Sequence, residues 1–153
     1  MKKFWAILLA MMLVLSMVTV AGATEVENPS TDAEGFTITV NPKDDVDHEY
    51  QVYQIFTADV ETNAGVKVLT SVKWGTNAKN DTDAVRTGDP VPDAVLDALK
   101  AVSGTNKEKL AEITKYWYAD STPVDTFAST KAAPGTSKKL TPGYSLVRDN
   151  QAK

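Results

Sequence analysis

Residues Glu49 to Val60 restrict the possible folds more than any other stretch of this chain. The run is rich in β-branched and aromatic residues, which reads as a strand. Tyr50, Val52, Gln54 and Phe56 fall on one face, and Gln51, Tyr53 and Ile55 on the other. Both faces carry apolar side chains, so each needs a covering layer, and the strand belongs in the middle of a sheet.

The neighbouring segments supply a sheet to surround it. Phe36-Thr-Ile-Thr-Val40 alternates apolar and polar, predicting a half-buried strand with Phe36, Ile38 and Val40 facing inward. Asn41 to Asp45 reads as a turn. Thr62-Asn63-Ala64-Gly65 is a hairpin turn, followed by a third strand from Val66 to Trp74 that Gly75 closes. The period then changes. Beyond a polar loop from Thr76 to Pro92, Val91, Val95, Leu99 and Val102 lie at helical spacing, with Leu96 widening the stripe and Gly104 ending it. Thr105-Asn106-Lys107-Glu108 fits a capping box, and Leu110, Ile113 and Trp117 continue a second short helix to about Trp117. Asp120 to Leu140 is poor in apolar residues and reads mostly as loop. Pro142-Gly143 reads as a turn, and Tyr144, Leu146 and Val147 as a last strand. Two helices inside a β chain predict a helical insertion over one end or edge of a sheet.

The amino terminus is of another kind. Eighteen of the first 23 residues are hydrophobic, behind the basic pair Lys2-Lys3, and Ala21-Gly22-Ala23 fits a small-x-small cleavage pattern. This is the organisation of an export signal, with the mature chain beginning near Thr24. The alternative is a retained anchor. The run from Phe4 to Val20 spans about 25 Å as a helix, short of the ~30 Å of a bilayer core, which favours cleavage. Thr24 to Glu34 is polar and reads as a flexible leader. The predicted organisation is therefore 1–23 signal peptide, 24–34 leader and 35–153 one β-domain. The abrupt stop at Lys153 after the last strand suggests a truncated carboxyl end.

The chain has no cysteine, which excludes a disulfide scaffold, a thiolate zinc site and a cysteine nucleophile. Its net charge of −4 becomes −6 without Lys2 and Lys3, which argues against a nucleic-acid partner. No phosphate loop, dinucleotide fingerprint, nucleophile elbow or zinc-ligand set is present, so neither metal nor cofactor is expected, and the chain reads as non-enzymatic. Asp44, Asp45 and Asp47 lack the glycine and glutamate of a calcium loop and read as a solvated turn. The single histidine, His48, reads as a residue at the start of a strand, hydrogen-bonded to a turn. Of the consecutive Tyr116, Trp117 and Tyr118, Trp117 reads as core. An exposed Tyr116 or Tyr118 offers a ring for stacking on a sugar or a protein partner.

Several segments together resemble the N-terminal domain of Gram-positive sortase-assembled pilins. They are Phe36-Thr-Ile-Thr-Val40, His48-Glu-Tyr-Gln-Val-Tyr-Gln-Ile-Phe56, Leu69-Thr-Ser-Val-Lys-Trp-Gly75, Val95-Leu-Asp-Ala-Leu-Lys100 and Pro142-Gly-Tyr-Ser-Leu-Val-Arg-Asp149, in the family's order. The resemblance implies a mainly β fold, an Ig-like β-sandwich with a short two-helix insertion. It also implies a secreted structural subunit of a covalently polymerised fimbria in the cell wall, involved in adhesion. The implied partners are sortase, other pilin subunits and host surface ligands. An adhesin-type module binding host glycan or matrix protein is the alternative. Such domains often carry an intramolecular Lys–Asn or Lys–Asp isopeptide bond, which would serve where disulfides are absent. Ile38-Thr-Val-Asn-Pro-Lys43 loosely resembles the family's linkage motif, although Lys43 also reads as a turn lysine. Where the family's Tyr-x-Leu-x-Glu box has its Glu, this chain has Arg148, which leaves Asp149 and Asn150 as candidate acceptors.

Overall fold

A computed structural model describes residues 17–19, 25–26, 35–79, 86–102 and 106–151. The chain is mainly β, with two helices. Its strands are β1 (Met17–Thr19), β2 (Glu25–Val26), β3 (Thr39–Asn41), β4 (His48–Asn63), β5 (Val66–Trp74), β6 (Asp125–Ser129), β7 (Gly135–Thr136) and β8 (Gly143–Asp149); α1 (Asp93–Ala101) and α2 (Asn106–Thr114) lie between β5 and β6. Thr105 of the proposed capping box, Gly104, and most of the leader and apolar run lie outside the described residues. Of that run, Met17–Thr19 forms β1 and pairs in parallel with β8.

The long strand β4 is central, as its two apolar faces demand. One edge pairs with β8 from Tyr50 to Thr57; the other pairs with β6 from His48 to Val52 and with β5 from Phe56 to Asn63. The hairpin turn to β5 falls at Ala64-Gly65, both at positive φ (51° and 80°), which is why a glycine stands there. A second sheet runs β2-β3-β7. Phe36, Ile38 and Val40 are all buried, Phe36 through an isolated bridge to Leu140 ahead of β3.

Two apolar cores follow from the two faces of β4. Between the sheets, Phe36, Ile38, Val40 and Leu140 pack on Tyr50, Val52 and Val147, with Val124 and Phe127 at the margin. On the opposite face, Tyr53, Ile55, Phe56, Trp74, Tyr144 and Leu146 pack beneath Leu99 of α1 and Ile113 of α2. The helical insertion therefore covers a sheet face, and not the end or edge expected from the sequence.

Three further expectations change. Phe56 does not share the face of Tyr50 and Val52. The β4–β8 register shifts between Gln54 and Phe56, and this bulge carries Phe56 into the core with Tyr53 and Ile55. Segment 120–140 contains β6 and β7. Its Asp125, Phe127 and Ser129 alternate inward, and the ready-made edge of β4 compensates for its low apolar content. The second helix ends at Thr114. Bonds from Tyr116 N–H to Ile113 O and from Trp117 N–H to Thr114 O tighten the chain into turns, and Trp117 then bridges to Ala78.

Two glycines beside the β4 bulge are required by close backbone approach. A Cβ on Gly75 would lie 2.3 Å from Gln54 O, and one on Gly143 would lie 2.0 Å from Phe56 O. Both contacts flank the β4 bulge, where neighbouring backbone crowds in.

Candidate functional site

The chemistry-bearing side chains gather at one end of the sandwich, where the β3–β4 turn, the start of β4 and the end of β8 meet. His48 opens β4. Its Nδ1 lies 2.6 Å from Asp149 Oδ2, and its Nε2 lies 2.7 Å from Asp44 Oδ1. Two ionised carboxylates only accept hydrogen bonds, so both ring nitrogens must donate, which only the imidazolium does. The ring stacks on Tyr50 at a centroid distance of 5.7 Å, and Tyr50 is tilted against Phe127.

The three groups differ in exposure. The Asp149 side chain is 1% exposed, that of His48 10%, and that of Asp44 53%. Asp149 stands opposite Tyr50 in the β4–β8 register, which puts it on the face of the inter-sheet core. Its second oxygen accepts the Gln151 N–H at 2.9 Å. The hydrogen bond to Asp44 is the main cause that lifts the His48 pKa above its usual 6.5; Asp149 adds to it and desolvation opposes it. The same bond holds Asp44 below its usual 3.8.

Of the three candidate linkage residues, Lys43 lies between β3 and β4, Asp149 ends β8 and Asn150 follows it. Lys43 is exposed on the turn that Asp44 fastens. Asp149 is committed to His48 and Gln151. Asn150 is exposed, with its N–H on Glu49 O at 2.8 Å and its Nδ2 on Glu49 Oε1 at 3.0 Å. Beside them Lys131 reaches Asp45 at 3.0 Å.

No hydrolytic triad is assembled here. Ser129 stands opposite His48 in the β4–β6 register, but its hydroxyl donates to Val40 O and accepts the Gly135 N–H. His48 keeps no nitrogen lone pair for a general base while it bridges two carboxylates. Among the described residues no group of three or more His, Cys, Asp or Glu side chains is arranged to hold a metal ion. The chemistry this arrangement supports is ionic fastening of a turn to two strands.

A second polar residue escaped sequence reasoning. Asn77, fully buried in the segment read as loop, pins the β4 bulge. Its Oδ1 accepts the Gln54 N–H, its Nδ2 donates to Ser121 Oγ and Thr122 O, and its backbone bonds Gln54 O and the Tyr118 N–H. The aromatic triplet divides as its spacing requires. Tyr116 packs on Phe56 and Trp74, Trp117 meets Tyr53 edge-on at 5.0 Å, and Tyr118 is 51% exposed.

No described helix is long and apolar enough to cross a membrane. Comparison with protein-family models, curated proteins and solved structures finds no match.

Proposed function

We propose that this chain is the N-terminal, Ig-like domain of a Gram-positive sortase-assembled pilin, a non-enzymatic structural subunit exported to the cell wall. The observation that carries this reading is where the pilin-like segments fall. His48–Phe56, Leu69–Gly75 and Pro142–Asp149 become β4, β5 and β8, hydrogen-bonded neighbours in one sheet. The likeness therefore maps onto a contiguous structural unit, which scattered chance matches would not do. Export with cleavage after Ala23 would also remove β1 and free the outer edge of β8, a backbone edge suited to subunit contacts.

Immunoblotting of the source bacterium's cell-wall fraction with antibody to this domain tests the reading. The expected result is a ladder that survives boiling in detergent and collapses to monomer when the sortase is deleted. A single band in both strains refutes polymerisation. Intact mass addresses the internal bond separately. With Asp149 engaged by His48, no loss of ammonia or water is expected, and such a loss would require a different arrangement of that end.

Exposed Tyr118 favours a second reading, a binding module for host glycan or matrix protein. Tyr116 and Trp117 are packed inward, which leaves one exposed ring where a stacking platform needs more. Binding on a glycan or collagen array that Tyr118→Ala abolishes would establish that role.

A further inference from the structure

We propose that His48 is a protonation-operated latch that fastens the β3–β4 turn to the end of β8. The inference stands apart from the pilin reading, because it rests only on the geometry of this end of the sandwich.

The imidazole joins the two sides of the latch. Nδ1 donates to Asp149 on β8, and Nε2 donates to Asp44 in the turn. The charged and polar groups around it are few. From the turn come Asp44 in contact and the exposed Lys43, Asp45 and Asp47; Asp45 is tied to Lys131 beyond β6. From β4 come Tyr50, stacked on the ring, and Glu49, held by Asn150. From β6 comes Ser129, committed to backbone groups. From β8 come Asp149 in contact and Arg148, exposed.

Loss of one proton to solvent leaves one N–H for two carboxylates, and the two do not compete equally. Asp149 is almost fully buried, and stranding it without a side-chain donor carries a desolvation penalty. Asp44 is more than half exposed and exchanges His48 for water at little cost. The neutral ring therefore keeps Nδ1–H on Asp149 and releases Asp44. The turn then holds through its weaker contacts, including the 3.5 Å approach of the Val46 N–H to Asp44 Oδ1 and the exposed Lys131–Asp45 pair. The released segment carries Lys43 and the exposed Val46.

His48 is the only histidine in the chain, so its ring signals are unambiguous. The test combines two NMR measurements on the labelled protein across a pH titration: ring nitrogen shifts, and exchange protection of amides 44–47. Three results are expected. His48 titrates above 6.5. The neutral form carries its proton on Nδ1. Turn protection, corrected for intrinsic rate, drops about tenfold through that same titration while Val52 and Ile55 stay protected. Asp44→Asn, a substitution at an exposed turn position, gives a turn that is already loose at low pH and insensitive to titration, with His48 still held by Asp149. The latch is overturned by a neutral ring protonated on Nε2, by turn protection that ignores the titration, or by an Asp44→Asn variant with the parent's profile.

Discussion

The two faces of β4 are filled by different means. The face between the sheets is mostly β-branched: Ile38, Val40, Val52 and Val147 are each fully buried there. The face beneath the helices is aromatic, with Phe56 at its centre, 5.4 Å from Trp74, 5.6 Å from Tyr144 and 5.8 Å from Tyr116. The difference follows from the covering layer. Two facing sheets present regular rows, into which branched side chains interdigitate. Two short helices and the turn at 115–118 present an uneven surface, and large rings fill its gaps with few residues. The bulge at Gln54–Phe56 lets one strand serve both faces, because it moves Phe56 from the aliphatic side to the aromatic one.

Breaking the aromatic face carries the largest expected effect. Phe56→Ala removes the ring that three others touch, and the expected loss is about 3–5 kcal/mol in urea denaturation. A loss under 1 kcal/mol would show that the helices do not depend on this ring. Asn77→Ala comes next, because it leaves the Gln54 N–H at the bulge without its partner. The expected cost is about 2–4 kcal/mol, with α1 and α2 amides losing exchange protection before those of β3. Equal loss across both faces would mean that Asn77 supports the whole sandwich and not the bulge alone.

The two faces were unequally legible in the sequence. Phe36, Ile38 and Val40 announced the aliphatic face through strict alternation, and burial follows that alternation. The central place of β4 was legible because both its faces are apolar. The bulge was not, since one inserted residue leaves no mark on composition or period. Asn77 was hidden for a related reason: a buried asparagine that satisfies backbone groups looks like any loop asparagine until its partners, Gln54 and Thr122, are known. At the charged end, the place of His48 at the start of a strand made a turn contact readable, but not its partner Asp44. The bond to Asp149 closes across 101 positions of chain and depends on β8 lying beside β4. The same pairing gives Asp149 to His48, so the candidate acceptor is already engaged.

The aliphatic face is expected to answer a conservative cut mildly. Ile38→Val removes one methylene from a fully buried site between regular rows, for about 0.5–1.5 kcal/mol and no change of denaturant slope. A larger loss, or an altered slope, would show that this face is as tightly interlocked as the aromatic one.

The smallest effect is also the one that most separates the faces, because the His48 bridge lies at the end of the aliphatic face. Asp44 has a folded pKa below 3.8, so its stabilisation is present above that value and is lost as pH falls through the folded one. His48 has a folded pKa above 6.5, so its stabilisation is present below 6.5 and is lost as pH rises through the folded one. Both contributions are therefore complete only between 3.8 and 6.5. Urea midpoints of the parent and of Asp44→Asn should differ most in that interval, with the parent more stable, and should converge on either side. High salt should shrink the difference, since Asp44 is solvated. A difference that is flat with pH, or that grows above 6.5, would mean that the Asp44–His48 bond does not stabilise the fold. Phe56→Ala provides the internal control: its loss removes uncharged contacts on the opposite face and should not vary across the same pH range.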